Sequence, residues 1–408
     1  MMITVREAQS LIRQSLSPLG TEELPLDDVQ GRVLAQEITA PFSMPRFTNA
    51  AMDGFALKWD DISHATEDSP VRLHVTQAIP AGTLSTLPVT SGCCAEIMTG
   101  APMPEGADTV VAFEQTSGFC SEYVDILSSP KYGANVRYGG EEVAADEVLL
   151  CKGELLSPSE IAVLASFGFA SVAVQRKPRV SIVTVGDEVR MPGEEVSGAQ
   201  IYNCNRFMLE AALRSVGIEP AGLHHAPDEK KLLRKILALA LAECDVLITA
   251  GGISNGEYDF VQQELAALGV VKQFWNIAQK PGKPLFFGST PEGKAVFSLP
   301  GNPVSAVVCF VEYCIPAFNI LQNHIAMASF QAILADPFPT DKKRHRFLSG
   351  KVWSEGGRLL CKVSPKIESH MITSLTGSNC LVEAEPSSKP LPAGSEVTCT
   401  MLPWAALS

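Results

Sequence analysis

Two lysines and a set of glycines are the residues in this chain whose spacing first suggests chemistry. Lys280 and Lys283 flank Pro281 and Gly282 in the run QKPGKPLFF, so both ammonium groups leave a stiff turn instead of a flexible stem. Gly251, Gly252 and Gly256, in TAGGISNGEYDF, permit positive φ and close approach of the backbone to a ligand, with N–H groups free to point at an anion. Fixed cations beside a ring of N–H donors are the parts of an oxyanion site. Solvated turn lysines are the competing reading, weakened by the rigid Pro-Gly between them.

Carboxylates form the second set. Asp187, Glu188, Asp228 and Asp259 fall at or just after expected strand ends, where they would hold Mg²⁺ against a phosphate. Helix capping competes with that role. It is the stronger reading for Asp228, which a long helical pattern follows, and the weaker one for Glu188, which sits between Asp187 and β-branched Val189. His224 and His225 lack partners at ligand spacing and read as a structural strand-end pair. No Ser stands in a GxSxG elbow, so a hydrolase triad has no support. Asp53 and Thr99 lie in the unusual loops FTNAAMDGFAL and IMTGAPMPEGADTVV, for which ordinary turn chemistry is the plain reading.

The elements that must position these residues follow from apolar periodicity. VLIT (246–249) and AVFS (295–298) are too short for helices and suit buried strands. Strand and helix alternate: strand 180–184, helix 204–216, strand 221–224, helix 229–243, strand 245–249, helix 259–268. That order predicts a parallel sheet with helices on both faces, and in such sheets ligands bind beyond the carboxyl ends of the strands. The loops 185–188, 250–259 and 299–303 occupy those ends. Upstream, Thr4 and Glu7 form a capping box for a first helix, and Pro41 and Pro45 mark a boundary. Residues 47–150 carry short alternating segments among Gly and Pro, the pattern of an all-β module. Ser157, Pro158 and Glu160 open another helix. The last segments (FLSGKVW, LLCKV, CLVEA, EVTCTM) predict a small closing β domain.

Composition sets the outer limits. A chain of 408 residues exceeds what one hydrophobic core usually serves, so several domains are expected. A net charge of −13 and a pI near 5.1 argue against nucleic acid or an anionic membrane surface as the main partner, and make any anion site local. Eleven cysteines without a CxxC pair fit reduced thiols in a cytoplasmic protein. Glu312 and Pro316 interrupt the most apolar stretch, 303–321, and the N-terminus lacks a signal pattern, so neither membrane span nor signal peptide is expected.

Six motifs in order, FTNAAMDGFAL, IMTGAPMPEGADTVVAFEQ, TVGDEV, TAGGISNGEYDF, QKPGKP and SLPGNPVSA, resemble the molybdopterin molybdenumtransferase family (MoeA type, also the E domain of gephyrin) over nearly the whole chain. The resemblance implies a multidomain α/β plus β fold of four domains. These would be a molybdopterin-binding α/β domain (1–20 and 170–327), an elongated connector (21–44 and 147–169), an inserted β domain (45–146) and a C-terminal β domain (328–408). It implies a homodimer with the active site between subunits, small-molecule substrates, and contact with other molybdenum-cofactor biosynthesis proteins. The implied reaction is insertion of molybdate into adenylylated molybdopterin, releasing AMP with Mg²⁺.

Carried over by position, the resemblance makes Asp53, Thr99, Glu142, Glu188, Asp228, Asp259 and Lys280 catalytic, with Glu188 and Asp259 on the metal. Gly251, Gly252, Ser254, Lys280, Lys283, Pro284, Pro300, Pro303 and Ser369 become binding residues. Four positions depart from the family pattern. Glu141-Glu142 stands for Glu-Asp, Asn203 for an aspartate, Asn276 for a common lysine, and Ser349 for an arginine expected to hold molybdate. On strand alternation Lys351 shares a face with Ser349 and is the expected substitute, whereas Arg346 is not. These departures also admit a non-catalytic or impaired paralogue that binds pterin or nucleotide as a scaffold.

Overall fold

The first helix begins as its sequence predicts. Glu7 N donates to Thr4 Oγ1 at 3.2 Å and Thr4 N donates to Glu7 Oε2 at 2.7 Å, closing the capping box ahead of Val5–Ser15. The computed structural model describes residues 2–119, 121–253, 260–324 and 329–407. These fall into two units, Met1–Ala35 with Gly153–Ser157 and Ser171–Ser408, and Gln36–Lys152 with Pro158–Ala170.

The larger unit is built on a six-stranded sheet in the order Pro220–Ala226, Val180–Val185, Val246–Ala250, Ala295–Leu299, Phe286–Ser289, Val271–Trp275. The first four strands are parallel, as alternation of strand and helix requires, and the last two pair antiparallel. Successive side chains leave opposite faces of a strand. Accordingly Val246, Ile248 and Ala250 join a core with the helices Val5–Ser15, Cys204–Ser215 and Pro303–Cys309, while Leu247 joins another with Lys230–Glu243 and Val261–Ala267. Helices therefore cover both faces.

Residues 303–321 form one helix of 19 residues in which Phe310–Cys314 is π-helical. It is long and apolar enough to cross a membrane, and 78% of it is buried inside the protein as a core helix. Glu312 and Pro316 do not interrupt it, contrary to the sequence expectation. Proline crowds the carbonyl four residues before it, here that of Glu312, and a widened π turn at that point relieves the crowding.

The C-terminal strands of this unit close on themselves. The ring runs His345–Glu355, Arg358–Val363, Ser329–Leu334, Glu396–Met401, Cys380–Ala384 and back to His345–Glu355, with Gln279–Lys280 added alongside His345 and Arg346. Leu348 and Val352 point into its apolar core, and Phe347 points out into the core of the α/β sheet.

The second unit carries a five-stranded sheet in the order Thr109–Ala112, Gly54–Leu57, Cys93–Ile97, Val71–Ile79, Tyr123–Ile126. Gly54–Leu57 is a fully buried inner strand, although the sequence reads it as part of a loop. A Cβ on Gly54 would lie 1.9 Å from the Val111 carbonyl oxygen, so the glycine that suggests a turn is there to let two strands approach. The fold is a multidomain α/β plus β architecture with an inserted β region and a C-terminal β barrel.

Candidate functional site

In the parallel sheet, Val180–Val185 has the next strand in sequence on one side and Val246–Ala250 on the other. The connections leave in opposite directions there, opening a crevice beyond the carboxyl ends of these two strands. The loop after Val246–Ala250 crosses the crevice on glycine. Gly251 has φ +96°, and a Cβ on it would lie 2.4 Å from the Val185 carbonyl oxygen. Only glycine permits that crossing. The loop after Ala295–Leu299 joins it, with a Cβ position on Gly301 3.7 Å from the Gly251 Cα.

Carboxylates rim the same crevice. Asp187 N donates to Asp228 Oδ2 at 3.2 Å and Asp228 N donates to Asp187 Oδ1 at 3.1 Å, which ties two strand-end loops together. The Glu188 carboxylate folds back over Gly186, where a Cβ would meet Oε2 at 2.7 Å. Among the described residues no group of three or more His, Cys, Asp and Glu forms a metal cage. Mg²⁺ does not ask for one, since it takes one or two carboxylates and completes its shell with waters and substrate phosphates. The donor set at Asp187, Glu188 and Asp228 fits that habit. Ser254, Gly256 and Asp259 lie outside the described residues.

Asn203 is buried, its Oδ1 accepts from Arg206 N at 3.1 Å to cap Cys204–Ser215, and its Nδ2 donates to Thr184 Oγ1 at 2.8 Å. Asn203 is thus a neutral cap tied to the strand Val180–Val185. Asn205 Nδ2 donates to the Gly301 carbonyl at 2.7 Å, holding the third loop to the same helix. His224 pairs with Glu243 at 2.7 Å, a structural contact as expected.

The lysine turn is held from behind. Gln279 is buried and its Nε2 donates to the carbonyls of Pro281 at 3.1 Å and Gly282 at 3.2 Å, while its Oε1 accepts from the Tyr313 hydroxyl. Lys280 Nζ lies 3.8 Å from Glu368 Oε1. Next to Glu368, Ser369 Oγ accepts from Asn302 Nδ2 at 3.2 Å. Pro303 takes the first turn of its helix, where its missing N–H is harmless, and the Asn302 side chain, free of capping, is spent on Ser369. Gly251, the 299–303 loop, the 368–369 loop and Lys280 thereby form one continuous surface. Lys283 and Pro284 are partly exposed on the same turn. Asn276 has φ +69°, a left-handed region that asparagine adopts more readily than most residues.

The second unit brings its own predicted residues together. Asp53 Oδ1 accepts from Thr99 N at 2.7 Å and Thr99 Oγ1 at 2.6 Å, and these bonds hold its carboxyl below the usual range. Glu142 lines a cavity of about 660 Å³ with Gly100, Asn49, Arg137 and Glu141.

Three family models match in series: MoeA N-terminal region (domain I and II) over residues 3–168, probable molybdopterin binding domain over 181–319, and MoeA C-terminal region (domain IV) over 331–402. The chain belongs to the MoeA family. Within it, the chain is 33% identical to a molybdopterin molybdenumtransferase of Haemophilus influenzae, covering 97% of this chain and 98% of the relative. It is 31% identical to that of Bacillus subtilis, covering 95% and 93%. The structure of a molybdopterin biosynthesis moeA protein from Pyrococcus horikoshii OT3 superposes with a TM-score of 0.80 at 30% identity, over 98% of this chain and 100% of the other. Sequence reasoning missed Gln279, Asn302 and Glu368. Only Asn302 carried a signal, being a helix N-cap followed by proline.

Proposed function

We infer that this MoeA-family chain inserts molybdate into adenylylated molybdopterin with release of AMP. The observation that carries the reading is the continuous surface that runs from the glycine backbone at the sheet's switch point through the 299–303 and 368–369 loops to the KPGKP turn. An adenylylated pterin needs a phosphate cradle, and the 251–253 and 299–303 loops offer glycine backbone at Gly251, Gly252 and Gly301. Gly251, Gly252, Ser254, Pro284, Pro300 and Pro303 line the path of the pterin phosphates in this reading. Lys280, Lys283 and Ser369 hold the oxyanion. Glu188 and Asp259 would hold Mg²⁺, which when bound offsets the negative charge of the phosphates as AMP leaves. Asp228 orients the Asp187–Glu188 loop through its paired backbone contacts.

Asp53, Thr99 and Glu142 complete the site in a homodimer, which is also the arrangement that gives the second unit a role. The four domain boundaries expected from the resemblance, a cytoplasmic location, and contact with other enzymes of cofactor assembly belong to the same proposal. A second reading, a binding paralogue that does not complete insertion, is favoured by one observation: Glu368 places a carboxylate against Lys280, where an oxyanion is to sit.

A cell-free assay of AMP release from adenylylated molybdopterin plus molybdate decides between them. Wild type is expected to release AMP, and Glu188→Gln to lose most of that release while remaining folded by circular dichroism. Pterin binding without any AMP would leave the scaffold reading, and undiminished release by Glu188→Gln would remove that residue from the metal.

A further inference from the structure

Position 349 offers a serine hydroxyl where a guanidinium is expected, yet an arginine stands close by. Gln279–Lys280 pairs in parallel with His345–Arg346, and the register sets Lys280 beside Arg346. Arg346 is 6% exposed. Its Nη1 reaches the Thr340 carbonyl only at 3.5 Å, and its Nε is buried without a partner. A desolvated guanidinium with an idle donor is costly unless an acceptor completes it.

Three charged groups act on it. They are Glu368, Asp341 and Arg344. Asp341 is already engaged, accepting from Arg344 Nη2 at 2.8 Å and from the backbone N–H groups of Lys343 and Arg344 at 3.0 Å each. Glu368 is not. Its carboxylate is half exposed and lies 3.8 Å from Lys280, and its charge also acts on Arg346. Ser369, the next residue, faces Asn302 on the proposed substrate surface.

Lys351 is poorly placed for the same task. It is exposed and pairs across the strand with Lys362, on the half of His345–Glu355 that runs away from Lys280. Five residues along a strand put it roughly 16 Å from Arg346. Sharing a face with Ser349 does not compensate for leaving the end of the barrel that meets the lysine turn.

We propose that Arg346 supplies the guanidinium of the oxyanion site in this chain, and that the Glu368 carboxylate occupies that site until a tetrahedral oxyanion displaces it. The inference rests on the reading of the KPGKP surface as a molybdate site. Arg346 is a binding residue here, acting with Lys280 from the neighbouring strand, and Glu368 is a competitor built into the 368–369 loop.

Equilibrium dialysis of molybdate against the purified full chain tests it, with metal counted by elemental analysis. Arg346→Gln is expected to raise the dissociation constant about ten- to a hundredfold, the range for loss of a charge-assisted pair of contacts. Glu368→Gln is expected to lower it about three- to tenfold, since one half-exposed competing charge is removed. Lys351→Ala is expected to bind like wild type. If Arg346→Gln does not fold, Glu368→Gln decides alone, because that side chain is 46% exposed and bears little of the fold. Unchanged binding by folded Arg346→Gln, or by Glu368→Gln, overturns the proposal while the molybdate site stands. Absence of binding by wild type overturns the site and this proposal together.

Discussion

The crevice of the parallel sheet and the rim of the C-terminal barrel meet the same proposed ligand by different means. At the crevice the ligand faces main chain, placed by strand order and by glycines whose missing Cβ leaves the loops room to cross. At the rim it faces side chains: Lys280, Ser369, Glu368 and Arg346. Backbone placement survives exchange of neighbouring side chains. The rim is where Ser349 stands for an arginine and where a carboxylate is set against a lysine.

The sharpest way to break the contrast is to put a methyl group into the backbone region. Gly251→Ala forces a Cβ to 2.4 Å from the Val185 carbonyl oxygen at φ +96°, and the obstacle is main chain of a central strand that has nowhere to move. We expect a loss of about 3 kcal/mol or more. The urea midpoint should fall accordingly and pterin binding should be lost with it. A variant as stable as wild type would show that this loop is adaptable and that its glycine is not required.

The rim should answer to a side-chain change of moderate size. Tyr313→Phe removes the hydroxyl that donates to Gln279 Oε1 and leaves that buried oxygen without its partner. The cost should be about 2 kcal/mol, with the lysine turn loosened because Gln279 Nε2 is what holds the Pro281 and Gly282 carbonyls. Hydrogen exchange should speed up through residues 277–285 and stay unchanged in 246–250. Equal loosening of both segments would mean that the two regions are one mechanical unit.

How far the sequence was legible follows the same division. The capping box at Thr4, the parallel strands and the glycine loops rest on local pattern, and each is found where periodicity puts it. Gly54–Leu57 escaped because Asp-Gly is a turn signal by composition, and only the approach of Val111 reveals why glycine is there. Val271–Trp275 and Phe286–Ser289 form the antiparallel edge of the sheet, Phe286–Ser289 pairing with both Val271–Trp275 and Ala295–Leu299. Strand alternation prefers Lys351 to Arg346, and the proposal for Arg346 rests instead on which end of the strand meets the lysine turn, which alternation does not carry. Glu312 and Pro316 looked like interruptions because a π-helical turn leaves no mark in apolar periodicity. For Gly54 the missing information was a long-range partner; for the π-helical turn it was local backbone geometry that composition does not encode.

Glu312 supplies the finest test, because burial moves its ionisation into a pH range where ordinary carboxylates are already charged. It is 7% exposed, its Oε1 has no partner, and it lines a cavity of about 1170 Å³ that also receives His345, Glu383 and Thr400. Burial, and next the charge of Glu383, push its carboxyl up to about 8 from 4.5, against an opposing hydrogen bond from Thr400. His345 already bonds Glu383 at 2.7 Å and Glu385 at 3.4 Å, so it does not relieve Glu312. The sign follows from proton counts. Between pH 4.5 and about 8 the folded chain keeps the Glu312 proton and the unfolded chain has lost it, so this group's contribution to stability is full below pH 4.5 and declines as pH rises through that window. The slope from this one group is limited to about 1.4 kcal/mol per pH unit. Glu312→Gln holds the neutral form at every pH. The stability difference between variant and wild type should therefore shift in the variant's favour from pH 5 to pH 8 and level off above. A difference that stays constant across that range would mean that Glu312 ionises in the folded chain as readily as in water, and that the cavity behind the lysine turn is wet.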